Sequence, residues 1–136
     1  MESLIIVLFL TAHSLIINYR LNKLAEWMSL GESITLRTWC LAYDIVTQNG
    51  GIDSDLRKAL LEAQETLAHE AKDPRDFLRV ICWARSAWVY IRGNKPFAED
   101  VIRRKLLIVE GSAKRFRGQA INLDQMFGVS DEVVNI

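Results

Sequence analysis

The chain has few of the residues that most often carry site chemistry. It contains two histidines, two cysteines and two prolines among 136 residues. His13 has no partner at metal-ligand spacing, and His69 lies in "HEAKD", which lacks the second histidine of the H-E-x-x-H zinc motif. "NGG" is not followed by the Lys-Ser/Thr of a phosphate-binding loop, and "SLGES" does not match the G-x-S-x-G nucleophile turn. The sequence therefore predicts no cofactor, no metal ligand and no catalytic residue.

Cysteine usage and charge narrow the class of protein further. Cys40 and Cys82 each lie inside an apolar segment, which is typical of buried thiols rather than of a disulfide. The 17 Lys/Arg residues balance the 17 Asp/Glu residues. The chain thus lacks the strongly basic balance of a dedicated nucleic-acid-binding domain. Half of its residues are hydrophobic and a quarter are charged, the proportions of a globular protein, and its length predicts one domain.

What is present is helical periodicity. Glycine and proline fall between segments whose apolar residues recur every three or four positions. Five helices are predicted. The first is the N-terminal apolar segment, the second covers 32–48, and the third is capped by Asp53 and runs to about 72. The fourth runs from "DPRDF" to about Arg92, and the fifth runs from "NKPFAED" to near Gly111. The fold class is all-α: a compact single-domain bundle of about five helices at 1–111. A C-terminal extension at 112–136 follows, with a short helix near 122–127 and a loose tail.

The most apolar stretch, "LIIVLFLTAHSLII" at 4–17, allows several interpretations. A signal peptide has a basic start and a small-residue cleavage site, and this segment has neither. As a helix it covers about 21 Å, less than the roughly 30 Å of hydrocarbon in a bilayer. Arg20 and Lys23 nevertheless follow it as basic residues follow a membrane span. A strand at 4–10 is a further alternative, because Ile5 and Val7 are β-branched.

Helical spacing favours a buried core helix over these alternatives. Polar side chains recur every three or four residues along one face, at Thr11, Ser14, Asn18 and Asn22. The same spacing continues through Leu21, Leu24 and Trp27. One long helix with a narrow polar stripe is typical of a central bundle helix that touches water along one edge.

The helix predicted at 73–92 provides the first candidate site. Its expected inward stripe is Phe77, Ile81, Ala84, Trp88 and Ile91, with Ile81 and Trp88 almost fully buried. The candidate partner-binding residues on the other face are Arg75, Arg79, Trp83 and Tyr90. Trp, Tyr and Arg dominate the hot spots of protein interfaces. The alternative stays open that this is a central helix with both aromatic side chains packed inward.

A basic segment at 103–117 provides the second candidate site. The possible anion-binding residues are Arg103, Arg104, Lys105, Lys114, Arg115 and Arg117, since phosphate contacts need several basic side chains on one face. Glu99 and Asp100 precede the first two by four residues, a spacing that favours ion pairs within the helix. Phe116 lies between Arg115 and Arg117, where an aromatic ring is placed to stack on a base or to lie at an anionic membrane. A solvated, partly paired helix end is the competing interpretation.

The sequence itself supports only a coarse functional expectation. Small helical domains without site chemistry act by binding, so we expect a non-enzymatic protein-protein interaction module in the cytoplasm: an adaptor, inhibitor or assembly subunit. Its partner would be another protein or a second copy of the chain. Two alternatives stay open: a membrane-associated protein anchored by residues 4–17, and a nucleic-acid-associated protein that uses residues 103–117.

Overall fold

The computed structural model describes residues 2–49, 57–58, 73, 75–91, 93 and 95–134. Within them lie α1 (Glu2–Met28), α2 (Leu36–Asn49), α3 (Asp76–Ile91), α4 (Lys95–Glu110), β1 (Ser112–Phe116), β2 (Gln119–Asn122) and α5 (Leu123–Phe127). The all-α class is therefore confirmed, with a small hairpin added. Most of the helix predicted after Asp53 lies outside the described residues, as does His69. Arg57 and Lys58 from that segment are helical and exposed.

The hydrophobic core lies where the C-terminal half of α1 meets α2, α3 and the end of α4. Its members are Leu21, Leu24, Ala25, Met28, Leu41, Ala42, Ile45, Phe77, Leu78, Ile81, Cys82 and Val109. Both cysteines are free thiols, as predicted. Burial raises the pKa of Cys82 to about 12 and also raises the pKa of the half-buried Cys40. At both positions burial therefore disfavours the thiolate, which is the nucleophilic form of cysteine.

The inward stripe predicted for α3 is only partly right. Ile81 is fully buried, which confirms its assignment, but Trp88 is half-buried and Ile91 is 74% exposed. The buried face of α3 is centred between the rows of Ile81 and Cys82. At about 100° per residue, Trp88 therefore lies at the edge of that face and Ile91 lies outside it. Ser86 takes the next buried position, where its hydroxyl donates a hydrogen bond to the Ala98 carbonyl at 2.7 Å.

The prediction that residues 4–17 form a buried core helix is wrong. α1 is one continuous helix, which also excludes the strand at 4–10. However, Leu4, Ile5, Leu8 and Leu15 are all 58–66% exposed. The 27 residues of α1 span about 40 Å, whereas the 14 residues of α2 that return along it span about 21 Å. Among the described residues, α1 contributes core side chains only from Leu21 onward, so its N-terminal half extends beyond the core.

The C-terminal extension contains a hairpin that the sequence analysis did not predict. β1 and β2 pair antiparallel, with Ser112 opposite Asn122. The turn between them consists of Arg117 and Gly118, both with positive φ, as a type I′ hairpin turn requires. The predicted short helix is present as α5, and Asn122 caps it by accepting a hydrogen bond from the Gln125 backbone N–H at 3.0 Å.

The loose tail predicted after α5 is also wrong, as far as Val134. The tail lies antiparallel to the residues that lead into α2. The Leu36 N–H donates to the Glu132 carbonyl at 2.8 Å, and the Val134 N–H donates to the Ile34 carbonyl at 2.9 Å. These backbone hydrogen bonds fix the tail in place because they satisfy polar groups of both segments.

Candidate functional site

A cluster of charged side chains lies at the start of α2; we call Arg37, Arg75, Asp124 and Asp131 the Arg37 cluster. Arg37 is 1% exposed. Its Nε donates to Asp131 at 2.9 Å, its Nη2 donates to Asp124 at 2.7 Å, and its Nη1 donates to the Ile108 carbonyl at 2.7 Å. Burial lowers the pKa of Arg37, but the two carboxylates outweigh that effect and raise it overall. The buried guanidinium therefore stays charged.

Arg75, a predicted partner-binding residue, belongs to this cluster. Its guanidinium donates to Asp131 at 2.5 Å and to the Val109 carbonyl at 3.1 Å. Burial raises the pKa of Asp131, but its hydrogen bonds from Arg75 and Arg37 outweigh this, so the net shift is downward. The cluster thus connects the tail to α2, α4 and α5. Arg75 takes part in this connection through its hydrogen bonds to Asp131 and to the Val109 carbonyl.

Arg79, the second arginine of the predicted site, lies in an ion-pair network one turn further along α3. It pairs with Glu110 at the end of α4, and its Nη1 donates to Asp73 at 3.0 Å and to Asp76 at 2.8 Å. The hydrogen bond to Glu110 is the largest cause of the raised pKa of Arg79, and it lowers the pKa of Glu110 in return. Arg79 therefore holds α3 to α4.

Trp83 and Tyr90 are 59% and 55% exposed. The alternative in which both aromatic side chains pack inward is therefore wrong. They line the apolar groove, a cleft of about 330 Å³ between α3 and α4 whose walls are Trp83, Ser86, Ala87, Tyr90, Ile91, Ala98, Glu99 and Ile102. The structure therefore divides the predicted four-residue site into two aromatic side chains on a groove and two arginines in ion pairs.

Lys105 does not take part in an anion-binding surface, because it is fully buried. It lies on the same inward row of α4 as Val101 and Val109. Its Nζ donates to Asp44 at 2.7 Å and to Gln48 at 3.1 Å. Burial lowers the pKa of Lys105, and Asp44 offsets only part of that effect. The assignment of Lys105 to a binding surface is corrected: this lysine joins α4 to α2.

The other basic residues are distributed over several contacts. Arg104 donates from its Nε to Asp44 at 2.8 Å, so it shares the carboxylate that Lys105 binds. Asp100, which the spacing assigned to Arg104, lies 3.6 Å from Arg117 instead. Three of the six, Arg103 on α4 and Lys114 and Arg115 on β1, are exposed. The predicted set of six is therefore not one continuous basic surface.

The N-terminal half of α1 is a second exposed apolar surface among the described residues. Its strongly exposed side chains are Leu4, Ile5, Ile6, Val7, Leu8, Leu10, Leu15 and Ile16. Five consecutive members at about 100° per residue point in all directions around the helix. Residues Leu4–Met28 are long and apolar enough to cross a membrane, judged by length and composition alone.

Among the described residues, no group of three or more His, Cys, Asp or Glu side chains is placed to hold a metal ion. Comparison with models of known protein families, with curated proteins and with solved structures found no match to this chain. Function is therefore inferred from α1, the apolar groove and the charged clusters.

Proposed function

We propose that the protein is a membrane-attached helical domain, with the N-terminal half of α1 in the bilayer and the remainder at the cytoplasmic surface. The observation that supports this is the exposure of apolar side chains on every side of α1 between Leu4 and Ile16. Apolar patches of this kind on water-soluble proteins are small or are covered by a partner. A helix that is apolar all round is covered by protein or by lipid, and the core of this domain begins only at Leu21.

The length and flanks of the projecting segment suit a short membrane span. Residues 2–19 cover about 27 Å of helix, near the lower limit for crossing the hydrocarbon region. Tyr19 is exposed at the inner end, and Arg20 and Lys23 follow it, both exposed. Tyrosine is enriched at the membrane interface and basic residues are enriched on the cytoplasmic side. This order of residues favours a cytoplasmic domain.

The polar residue Thr11 is compatible with a position in lipid. Its hydroxyl donates to the Val7 carbonyl at 2.8 Å, within the helix itself. A polar group in hydrocarbon is expensive chiefly when it lacks a hydrogen-bond partner. Thr11 therefore lowers the apolar character of α1 without leaving an unsatisfied donor in the bilayer.

A protein-interaction role for the domain is the second proposal, and the exposed aromatic side chains support it. Trp83 and Tyr90 lie on the apolar groove, and both residue types are enriched in interface hot spots. The two proposals are compatible, because a membrane-attached domain can bind a partner. A nucleic-acid-associated role has less support, since Lys105 is buried and Arg104 is paired with Asp44.

The test is membrane extraction of the full-length chain with matched lysine variants. The wild type should remain in the membrane fraction after alkaline carbonate, and its mass should show that residues 2–19 are retained. Leu10→Lys places a charge near the middle of the span, which costs about 3 kcal/mol of insertion free energy, roughly a hundredfold in partitioning. It should move the protein to the soluble fraction. Met126→Lys, at an exposed position on α5, should leave the distribution unchanged.

Two results would overturn the proposal. One is a wild-type protein that stays in the supernatant as a monomer without detergent. The other is a membrane-directed protein that has lost its first residues, because a cleaved signal segment does not anchor the mature chain.

A further inference from the structure

The apolar groove runs along an antiparallel helix pair. Only residues 92–94 separate α3 from α4, and the two helices pack against each other. So short a connection makes neighbouring helices antiparallel. Ser86, a buried residue of the groove, donates a hydrogen bond to the Ala98 carbonyl at 2.7 Å, which places Ser86 beside the first turn of α4. Tyr90 therefore lies at the end of the groove where α4 begins, and Trp83 lies further along α4.

A row of charged side chains borders this groove on α4; we call Lys95, Glu99 and Arg103 the charged row. All three side chains are exposed, and they follow one another every four residues, which places them along one face of the helix. Glu99 itself lines the groove. The row covers about 12 Å of helix, and the groove between Trp83 and Tyr90 covers about 10 Å. Charges of alternating sign therefore accompany the apolar groove along its length.

The charged row has no counter-ions in the part of the chain that the structure describes. The pair of Glu99 with Arg103 that the spacing favours is not formed. The neighbouring charges of α4 are paired elsewhere: Arg104 binds Asp44, and Asp100 lies 3.6 Å from Arg117. The three charges of the row are thus left for groups outside the domain.

An amphipathic helix is the element that fits this groove. The walls are mainly apolar, and the Ser86 hydroxyl already donates to Ala98. An occupant must therefore satisfy its own backbone polar groups, as a helix does and a single extended strand does not. A third helix also packs readily into the groove between two others. The volume of about 330 Å³ lies within the range of sites that enclose a ligand.

We infer that the apolar groove binds an amphipathic helix of a partner protein, with an acidic, a basic and an acidic side chain in turn opposite the charged row. The apolar stripe of that helix contacts Trp83 and Tyr90. The inference rests on the proposed interaction role and names the kind of partner. None of the described helices carries an acidic, basic and acidic residue at four-residue spacing, which favours a different protein over a second copy of the chain.

The two parts of this surface have different effects on binding. Buried aromatic side chains contribute most of the affinity of an interface. Charges at its edge contribute chiefly to the choice of partner and to the rate of association. Because the charged row has the same order of signs from either end, it sets the register of the partner helix and not its direction.

The test is photo-crosslinking of the full-length chain in intact cells. A diazirine amino acid of similar size replaces Ile91, a groove residue that is 74% exposed. The same amino acid at Phe127, which is 71% exposed on α5, is the matched control. The adducts are digested, and mass spectrometry identifies the segment of the partner that is attached.

Three variants of the chain with the photo-reactive group at position 91 test the contacts. The first is Trp83→Ala. The second reverses the charged row through Lys95→Glu, Glu99→Lys and Arg103→Glu. The third, Lys114→Glu, changes an exposed charge on β1, outside the groove, and is the control for charge.

The expected adduct at position 91 joins a helix with the acidic, basic and acidic residues at four-residue spacing. Trp83→Ala should lower its yield about tenfold or more, as the loss of an interface hot spot does. Reversal of the charged row should lower the yield by about the same factor, because like charges would then face each other. Reversal of the three charges on the identified partner helix should restore it. Lys114→Glu should leave the yield unchanged.

Two kinds of result would overturn the inference. An adduct with a segment that lacks the charge pattern, or a yield that reversal of the charged row does not lower, would do so and leave the interaction role standing. An adduct with lipid alone, or the same adducts at positions 91 and 127, would overturn the interaction role as well. Carbonate extraction of the same cells reports on membrane attachment independently of all these outcomes.

Discussion

Replacing Arg37 by methionine tests how much the Arg37 cluster contributes to the fold. The guanidinium makes hydrogen bonds to the carboxylates of Asp124 and Asp131 and to the Ile108 carbonyl. Removal of one partner of a buried ion pair costs about 3–5 kcal/mol. The carboxylates are 35% and 52% exposed, however, so water replaces part of what they lose. The Ile108 carbonyl loses its donor, which adds about 1 kcal/mol. We expect Arg37→Met to lower the free energy of unfolding by about 3 kcal/mol.

The measurement is denaturant-induced unfolding in mild detergent, combined with limited proteolysis of the tail. Arg103→Met is the matched control, because Arg103 is exposed on α4 and surface substitutions change stability by about 0.5 kcal/mol or less. In Arg37→Met, proteases should cleave more readily after α5, since Asp131 loses one of its two ion pairs and keeps only the one with Arg75. Arg37→Lys keeps the positive charge but not the planar guanidinium. Its loss of unfolding free energy should therefore lie between the losses of Arg103→Met and Arg37→Met. A loss for Arg37→Met no larger than that of Arg103→Met would refute the reasoning.

Three further predictions concern other features of the domain. Gly111→Ala should destabilise it by about 2–4 kcal/mol, because Gly111 has a φ of +81° and an added Cβ would overlap the Asp124 carboxylate. Gly118→Ala has a similar φ but open space, so its loss in the same unfolding assay should be only about 1–2 kcal/mol; equal losses would contradict this. The pKa of Glu110 is held below its ordinary value of 4.5, so the folded state binds its proton less readily than the unfolded state. The contribution of Glu110 to the free energy of unfolding is therefore complete above about pH 4.5 and is lost as the pH falls further. Glu110→Gln should weaken the dependence of the denaturation midpoint on pH in that range. Trp83→Ala should cost less than about 1 kcal/mol, whereas a midpoint shift worth about 3–5 kcal/mol would show that Trp83 is a core residue.

The helices were predictable because capping residues and apolar spacing act locally. Asp73 and the acidic first turn marked the start of α3, and Ile81 was correctly assigned to the core. The surroundings of α1 were not predictable in the same way. An apolar helix has the same sequence pattern whether protein or lipid covers it. The exposure of side chains such as Leu4, Leu8 and Leu15 distinguishes the two cases, and that exposure depends on the tertiary structure.

The charged residues were the least predictable part of the candidate site. Arg75, Arg79 and Lys105 were assigned to binding surfaces because such side chains are mostly exposed. The carboxylate partners of Lys105 and Arg75 lie far away in sequence: Asp44 is 61 residues from Lys105, and Asp131 is 56 residues from Arg75. Local spacing cannot indicate such pairs. The hairpin had only a partial signal. Gly118 suits the positive φ of the turn, but Arg117 is not a residue type typical of the other turn position.

The contact between Arg37 and Asp131 has a consequence for how the chain is made. The two residues are 94 positions apart, so at a typical rate of synthesis the carboxylate is added roughly 5–20 s after the guanidinium. During that interval Arg37 lacks both counter-ions until Asp124 is added, and the Leu36 N–H lacks its acceptor, the Glu132 carbonyl. The contacts around the start of α2 are therefore completed only after Asp131 and Glu132 have been synthesised.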